Sequence, residues 1–254
     1  MTHLFETIKQ KKIHTLLLDL DATLLPFRQA DLSEAYFGDL HNYAVARLGE
    51  TDAARFDKAA MTAFRAMKKN DGSRENINLF RDAFYQLFSD FPEDIEAFYE
   101  AFYRGPFAEV RRVLQPRGGE RALLRLLRQK GYRLVCATNP VFPMSANAAR
   151  MEWADLAPED FDHVTNHDGY RFCKPAPGYF IAAAAAVGSR PEACLMVGND
   201  TLDDLGAEDA GMEVVLITDY LHVRGDRTPA PSQLMGWDTF VQLCASLPDA
   251  PTDM

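Results

Sequence analysis

The stretch LLLDLDATLL, residues 16–25, joins a short apolar run to two carboxylates, Asp19 and Asp21. A continuous apolar run, without polar alternation, is typical of a parallel strand that helices cover on both faces. The carboxylates stand where that strand should end. Because the carboxyl ends of the strands carry ligand chemistry in open parallel sheets, this stretch predicts a buried first strand and a functional edge of the sheet.

Three later runs have the same apolar character: RLVCAT (133–138), CLMVG (194–198) and EVVLIT (213–218). Helical periodicity fills the intervals between them, as in GGERALLRLLRQKG, where leucines form one stripe and Gly131 is a stop signal. Strands that alternate with helices predict an α/β fold with a doubly wound, parallel, Rossmann-like sheet.

One interval breaks the alternation. From residue 26 to residue 114 the sequence shows helical patterns and no strand-like run. We therefore predict an all-helical domain, residues 26–114, inserted into an α/β core made of residues 1–25 and 115–254. Aromatic residues near i, i+4 spacing, such as Phe80, Phe84 and Phe88, are interpreted as the packed core of that insertion.

Composition excludes several classes of partner. The formal net charge of -10 argues against a large interface with nucleic acid or anionic lipid, which clustered Lys and Arg would have to bind. No segment approaches the roughly 18 apolar residues of a membrane span, and the N-terminus lacks the apolar centre of a signal peptide. The four cysteines form no C-x-x-C pair. We expect a cytoplasmic protein without nucleic-acid or membrane partners; no pattern indicates its oligomeric state.

The predicted strand ends supply a coherent set of polar side chains. Thr138 and Asn139 follow the second run, the sequence GNDTLDD with Asn199 and Asp200 follows the third, and Lys174 precedes a helix predicted to begin near residue 177. Clustered carboxylates repel one another unless a divalent cation lies between them, and all-oxygen ligation suits Mg²⁺. A hydroxyl and an ammonium beside that cation can hold a phosphoryl group.

These motifs, in this order, resemble the haloacid dehalogenase (HAD) superfamily, in its phosphatase-type members with a helical cap of the C1 type. Asp19, Asp21 and Thr23 match the first motif, D-x-D-x-T. Thr138 matches the Thr or Ser of the second motif, Lys174 the Lys of the third, and VGNDTLDD the acidic fourth motif.

The resemblance implies a mechanism. Asp19 would attack phosphorus and form an aspartyl-phosphate, while Asp21 would protonate the leaving alkoxide and later take a proton from water. Thr138 would bind a phosphoryl oxygen, and Lys174 would neutralise charge on Asp19 and on the transferred group. An Asp at position 21 favours hydrolysis of a phosphate monoester, since alkoxide leaving groups need a proton.

The resemblance also implies Mg²⁺ held by Asp19, the backbone carbonyl of Asp21 and the acidic cluster. The family usually has Asp where Asn199 stands, so either Asn199 or Asp200 is the expected ligand. The family usually has Gly where Ala22 stands, and we expect a turn that Ala can adopt. His163 and His167, spaced H-x-x-x-H, are interpreted as loop residues without a metal.

The substrate is expected to be a small phosphorylated metabolite. Besides Thr138 and Asn139, Asn70 and Arg74 of the polar segment KKNDGSREN could reach it from the insertion, and Arg28 is a weaker candidate. Two alternatives to a phosphatase stay open: a phosphomutase of the same superfamily, and a non-catalytic protein that binds a phosphometabolite on the same fold.

Overall fold

The computed structural model describes residues 2–115 and 117–251. Its centre is a parallel sheet of six strands in the order β3-β2-β1-β4-β5-β6. The strands are β1 Thr15–Leu18, β2 Arg133–Cys136, β3 His163–Val164, β4 Cys194–Gly198, β5 Glu213–Ile217 and β6 Leu234–Met235. The four predicted apolar runs are the four inner strands, and the predicted fold class is confirmed.

The first strand lies at the centre of the sheet. Leu17 of β1 is in register with Val135 of β2 on one side and with Met196 of β4 on the other, and all three side chains are fully buried. Because side chains alternate along a strand, Leu16 and Leu18 point to the opposite face and join a different part of the core. Both faces are therefore covered, as the continuous apolar runs predict.

Helices fill the remaining length. They are α1 Thr2–Gln10, α2 Gln29–Leu48, α3 Glu50–Lys68, α4 Asn76–Leu87, α5 Ile95–Arg104, α6 Glu120–Gln129, α7 Met144–Glu152, α8 Pro177–Ala185 and α9 Trp237–Ser246. Residues of α8 pack against one face of the sheet, and residues of α1, α6 and α9 belong to the cluster on the other.

Helices α2 to α5 and a 3-10 helix, Pro106–Val113, form the insertion between β1 and β2. Aromatic rings fill its interior: Phe56, Phe84 and Phe98 are fully buried, and the ring of Phe56 contacts Phe98 and Phe84 with centroid separations of 4.8 Å and 5.8 Å. The interpretation of the spaced aromatics as packing residues is confirmed.

The chain leaves the sheet and returns to it at one place. The backbone N–H of Gln115 donates to the carbonyl of Pro26 over 2.7 Å. The guanidinium of Arg117 donates to the carbonyl of Thr23 over 2.8 Å and lies 3.6 Å from the centroid of the Trp237 ring. The two connections of the insertion thus run side by side, next to the loop that follows β1.

All four cysteines are buried and reduced. None of the helices in the described part of the chain is long and apolar enough to cross a membrane.

Candidate active site

Three strand ends meet at one level of the sheet. The N–H of Asp19 donates to Val197 O over 2.8 Å, and the N–H of Ala137 donates to Leu18 O over 2.8 Å. These backbone bonds extend the parallel pairing by one residue beyond β1 and β2, so the loops after β1, β2 and β4 begin together. They surround a polar cavity of about 360 Å³. The predicted residues that line it are Asp19, Asp21, Thr138, Asn139, Lys174, Asn199 and Asp200.

Lys174 joins two carboxylates beneath this cavity. Its Nζ lies 2.8 Å from Asp19 Oδ1 and 2.7 Å from Asp204 Oδ1. The lysine is only 2% exposed. Burial alone would lower the pKa of Lys174, but Asp19 and Asp204 raise it well above the ordinary value, so the side chain is an ammonium.

One ammonium shared by two carboxylates leaves an excess negative charge in a buried place. Burial raises the pKa of Asp19 to about 8, against the attraction of Lys174 and with a further upward contribution from Asp204. The carboxyl that stands first in the predicted nucleophilic motif is therefore poorly stabilised as an anion by the protein alone.

A glycine makes room for the turn that follows β4. Asp204 Oδ2 accepts hydrogen bonds from the N–H groups of Asn199 (2.8 Å) and Asp200 (2.9 Å). A Cβ placed on Gly198 would lie 2.1 Å from the same oxygen. Glycine is required because the Asp204 carboxylate occupies the space that a side chain at residue 198 would need.

Asn199 and Asp200 differ in how their oxygens are used. Both oxygens of Asp200 are occupied: Oδ1 accepts two backbone N–H groups, and Oδ2 accepts Arg224 and His222. Burial alone would raise the pKa of Asp200, but the N–H of Asp203 and the Arg224 guanidinium lower it. Asn199 Nδ2 donates to Tyr220 O over 2.8 Å, and its Oδ1 accepts one hydrogen bond, from Thr23 Oγ1 of the loop after β1 over 3.3 Å, which leaves its second lone pair without a partner among the described residues.

Asp21 pairs with a residue that the sequence analysis missed. Arg150 of α7 is 1% exposed and donates from Nη1 to Asp21 Oδ2. Its guanidinium lies 4.5 Å from the centroid of the Phe142 ring and also donates to Asn147 Oδ1. The other carboxylate oxygen, Asp21 Oδ1, is buried without a hydrogen-bond partner in the described part of the chain. An Arg inside a helical pattern is usually an exposed residue, so nothing in the sequence distinguished Arg150.

Ala22 adopts a backbone conformation that favours glycine, with φ of 59°. This differs from the expectation of a turn suited to Ala. A non-glycine residue in this region costs roughly 1 kcal/mol or more. The Ala22 methyl is fully buried, which contributes about 0.8 kcal/mol in the opposite direction. The two effects nearly cancel, which explains how Ala replaces Gly here.

The insertion reaches the cavity through Gln29 and Ser33 of α2 and through Lys68 at the end of α3. Lys68 Nζ lies 2.9 Å from Asp203 Oδ2 and 3.2 Å from the backbone carbonyl of Lys174. Asp203 also accepts from Asn139 Nδ2 (3.2 Å) and contacts Arg224. Asn139 Oδ1 is buried with no hydrogen-bond partner among the described residues. Two cations that are paired with Asp203 and an unpaired amide oxygen therefore line the cavity.

The structure does not bring Asn70 or Arg74 into this cavity. Asn70 Nδ2 donates to Arg74 O and to Asn76 Oδ1, and its Oδ1 accepts the N–H of Gly72. Arg74 pairs with exposed Asp82. The Asn70 side chain bonds the backbone of its own turn, as Asn commonly does at a chain reversal, whereas the Arg74 side chain pairs with a surface carboxylate of α4.

Arg28 also lies elsewhere. It lines a larger cavity of about 790 Å³ on the neighbouring surface, which shares Gln29 and His222 with the first cavity and contains none of the Asp19, Asp21, Thr138 and Lys174 side chains. The larger volume of this neighbouring cavity therefore does not make it the candidate active site.

The oxygen atoms of the polar cavity supply some of the ligands that a hard cation such as Mg²⁺ needs. Among the described residues, no group of three His, Cys, Asp or Glu side chains is arranged to hold a metal ion. A cation beside Asp19 would therefore need amide or backbone oxygens in addition to carboxylate. Mg²⁺ accepts such mixed oxygen ligands, and the excess negative charge around Lys174 would favour it.

A family model for haloacid dehalogenase-like hydrolases matches residues 13–211. Pyrophosphatase PpaX from Halalkalibacterium halodurans is 23% identical over 206 residues, which cover 81% of this chain and 84% of the relative.

Two solved structures have the same fold over nearly the whole chain. CbbY from Rhodobacter sphaeroides in complex with phosphate has a TM-score of 0.57 and 19% identity, covering 91% of this chain and 96% of that one. The HAD-hydrolase YfnB from Bacillus subtilis bound to magnesium has a TM-score of 0.53 and 18% identity, covering 91% and 98%.

Proposed function

The chain belongs to the haloacid dehalogenase-like hydrolases, and on that basis we propose that it is a Mg²⁺-dependent phosphatase that hydrolyses a small phosphate monoester. One observation carries the proposal: Asp19 and Asp21 line the same polar cavity as Thr138 and Lys174. These residue types are the ones that phosphoryl transfer through a carboxylate requires, in positions where one substrate can contact them all.

Asp19 is proposed as the nucleophile. A carboxylate oxygen of Asp19 would attack phosphorus in line with the leaving oxygen, so that an O–P bond forms as the ester P–O bond breaks. Lys174 holds the carboxylate from Oδ1, which fixes its orientation. Thr138 would donate its hydroxyl to a phosphoryl oxygen. Water would then hydrolyse the aspartyl-phosphate and release inorganic phosphate.

Asp21 is proposed as the general acid and base. Arg150 holds Oδ2, which leaves the buried, unpaired Oδ1 to exchange a proton with the substrate. Oδ1 would protonate the departing alkoxide in the first step and accept a proton from water in the second. Because both proton transfers would use the same oxygen, the contact between Arg150 and Oδ2 would not have to change between the two steps.

Asp19, the backbone carbonyl of Asp21 and Asn199 are the residues proposed to hold Mg²⁺. Asn199 is preferred over Asp200 because Arg224, His222 and backbone N–H groups already occupy both oxygens of Asp200. When bound, the cation would supply positive charge to the nucleophile and to the phosphoryl oxygens. The structure of YfnB, which has a similar fold, is bound to magnesium, in keeping with magnesium as the cation.

The insertion, residues 26–114, is proposed to act as a cap over the core formed by residues 1–25 and 115–254. Lys68 is the residue through which it would contact substrate, rather than Asn70 or Arg74, because Lys68 alone of these three lines the cavity. Arg224 contacts the same oxygen of Asp203 as Lys68 does, so the two cations lie side by side and favour a substrate with a second anionic group. A closed cap would exclude water from the leaving group.

The test is phosphate release from a panel of sugar phosphates, short phospho-acids, nucleotides and pyrophosphate, with Mg²⁺ or with EDTA. We expect turnover that needs Mg²⁺, is abolished by Asp19→Asn, and is unchanged by Asp90→Asn, a matched change at an exposed aspartate of the insertion. Turnover that survives Asp19→Asn or EDTA would refute the mechanism. Stoichiometric phosphate binding without turnover would favour a binding protein.

A further inference from the structure

A second cavity lies where the insertion meets the loops after β2 and β3. Its volume is about 150 Å³, which is the share of liquid volume of about five water molecules. Val141 separates it from the proposed active site, since this residue lines both cavities. Asp19, Thr138 and Lys174 do not line it, so the proposed phosphatase mechanism gives it no role.

Aromatic rings form much of its wall. Phe80 meets Phe64 edge to face with centroids 5.9 Å apart, and meets Tyr99 edge to face at 5.6 Å. Tyr103 lines the same space. The negative faces of such rings attract cations, most strongly where water is excluded.

The charged residues of the wall are acidic. Glu96, Glu100 and Asp168 line the cavity, and no Lys or Arg is among its described lining residues. Glu96 is already paired with Arg81 outside the cavity. Glu100 Oε2 lies 3.3 Å from Arg104, but that arginine is 80% exposed and makes no hydrogen bond to it. The cavity therefore favours a positive occupant.

Three buried atoms on this wall have no hydrogen-bond partner among the described residues: Tyr99 Oη, Glu100 Oε2 and His167 Nδ1. Tyr99 is 6% exposed and His167 is 8% exposed, and although the Glu100 side chain is 36% exposed its Oε2 is shielded, so bulk water does not satisfy the three atoms. Burial lowers the pKa of His167, which favours the neutral ring. His167 Nδ1 lies 3.3 Å from Asp168 Oδ1 without hydrogen-bond geometry.

The three atoms share one property, because each can accept a hydrogen bond. A phenol oxygen and a carboxylate oxygen present lone pairs, and His167 Nδ1 does so in the neutral tautomer that carries its proton on Nε2. Buried polar groups are nearly always paired in native proteins, so three unpaired acceptors around one space indicate a missing donor. An ammonium group has three N–H donors and no acceptor, and its charge suits both the carboxylates and the rings.

We propose that this cavity binds a compact primary amine in its ammonium form, with the nitrogen toward Tyr99, Glu100 and His167 and a short alkyl body between the aromatic rings. The site is separate from phosphate hydrolysis and stands independently of it. The size of the cavity limits the ligand to a chain of a few carbon atoms.

The first experiment compares three probes that share a butyl chain, by calorimetric titration and thermal unfolding of the wild-type protein: n-butylamine, 1-butanol and the larger butyltrimethylammonium. The alcohol lacks the charge, and the quaternary ion keeps the charge but has no N–H donor. We expect n-butylamine to bind with at least tenfold higher affinity than either analogue and to raise the melting temperature. Absence of amine binding at millimolar concentration, or equal binding of an analogue, would overturn the proposal.

The second experiment uses Tyr99→Phe, with Tyr43→Phe as the matched control. Tyr43 lies in the same insertion outside the cavity, and its hydroxyl accepts from Arg47 over 2.9 Å. Since Tyr99→Phe removes an unpaired buried hydroxyl, we expect the free protein to keep or gain thermal stability while amine affinity falls about three- to tenfold. Tyr43→Phe should bind amine as the wild type does. Unchanged amine affinity in Tyr99→Phe would contradict the proposal.

Discussion

Arg150 donates a hydrogen bond to the carboxylate of Asp21 from a fully buried position on α7. If Asp21 is the general acid, Arg150 positions it, and its loss should affect substrates according to how much their leaving groups need a proton. We expect Arg150→Met to lower kcat about 100-fold for an alkyl phosphate but only a few-fold for p-nitrophenyl phosphate, whose leaving group is stable as an anion.

The measurement is the ratio of the two kcat values, with Arg112→Met as a control at an exposed ion pair with Asp39. General damage to the fold would lower both rates equally and leave the ratio unchanged, and that result would show that Arg150 has only a structural role. Partial recovery of the ratio by Arg150→Lys would support positioning through charge.

The space beside Gly198 gives a prediction about stability. Gly198→Ala would force a methyl into the Asp204 carboxylate, which braces the turn and contacts Lys174. We expect a loss of more than about 2 kcal/mol in the free energy of unfolding, because a buried charge pair is displaced.

Urea denaturation measures this loss, and Gly38→Ala is the matched control. Gly38 lies in α2 and has open space beside it, so Ala there should stabilise the helix by about 0.5–1 kcal/mol. Equal effects of the two substitutions would contradict the assigned role of Gly198.

The raised pKa of Asp19 predicts how stability varies with pH in the absence of metal. Between the ordinary pKa of 3.8 and the folded-state value of about 8, the folded protein holds a proton that the unfolded chain has released. Stability of the wild type should therefore fall, relative to Asp19→Asn, as pH rises from about 4 to 8, with a slope approaching 1.4 kcal/mol per pH unit.

Urea denaturation in EDTA at several pH values measures this difference. Mg²⁺ should flatten the slope for the wild type and leave Asp19→Asn unaffected, because the cation replaces the proton on the carboxylate. A difference between the two proteins that is independent of pH would show that Asp19 is already ionised in the folded state.

The unequal use of the oxygens of Asn199 and Asp200 predicts which of the two binds Mg²⁺. Asn199→Leu should weaken Mg²⁺ binding at least tenfold, since it removes an oxygen that faces the loop of Asp19 and Asp21. Asp200→Asn should change it less, because that side chain is engaged by Arg224 and backbone N–H groups. Calorimetric Mg²⁺ titration of both variants decides between them, and a larger effect at Asp200 would reverse the assignment.

The inner strands and the carboxylates at their ends were predictable because buried parallel strands have an unmistakable apolar run. Strands β3 and β6 were not, since two residues leave no pattern to recognise. His163, interpreted as a loop residue, lies in β3 for this reason, and its Nε2 contacts the hydroxyl of Tyr170.

The parts of the candidate site that the sequence did not indicate depend on tertiary contacts. Lys68 reaches the cavity because the end of α3 packs over the sheet edge, and Arg150 is buried because α7 lies behind Asp21. Asn70 and Arg74 were expected near the substrate because their segment is polar, but local hydrogen bonds and surface pairing hold both side chains. Polarity of a segment says nothing about the direction of its side chains.

The insertion begins near Pro26 and ends near Gln115, and these two residues are hydrogen-bonded to each other. This closeness has an evolutionary consequence. A helical unit attached through two neighbouring points can be exchanged, lengthened or duplicated without changing the order or alignment of the strands, as is general for insertions whose ends lie close together. Selection could then alter the insertion while the carboxylates proposed to react stay where they are. The same arrangement offers an engineering route, in which the helices of a relative are grafted between these two residues.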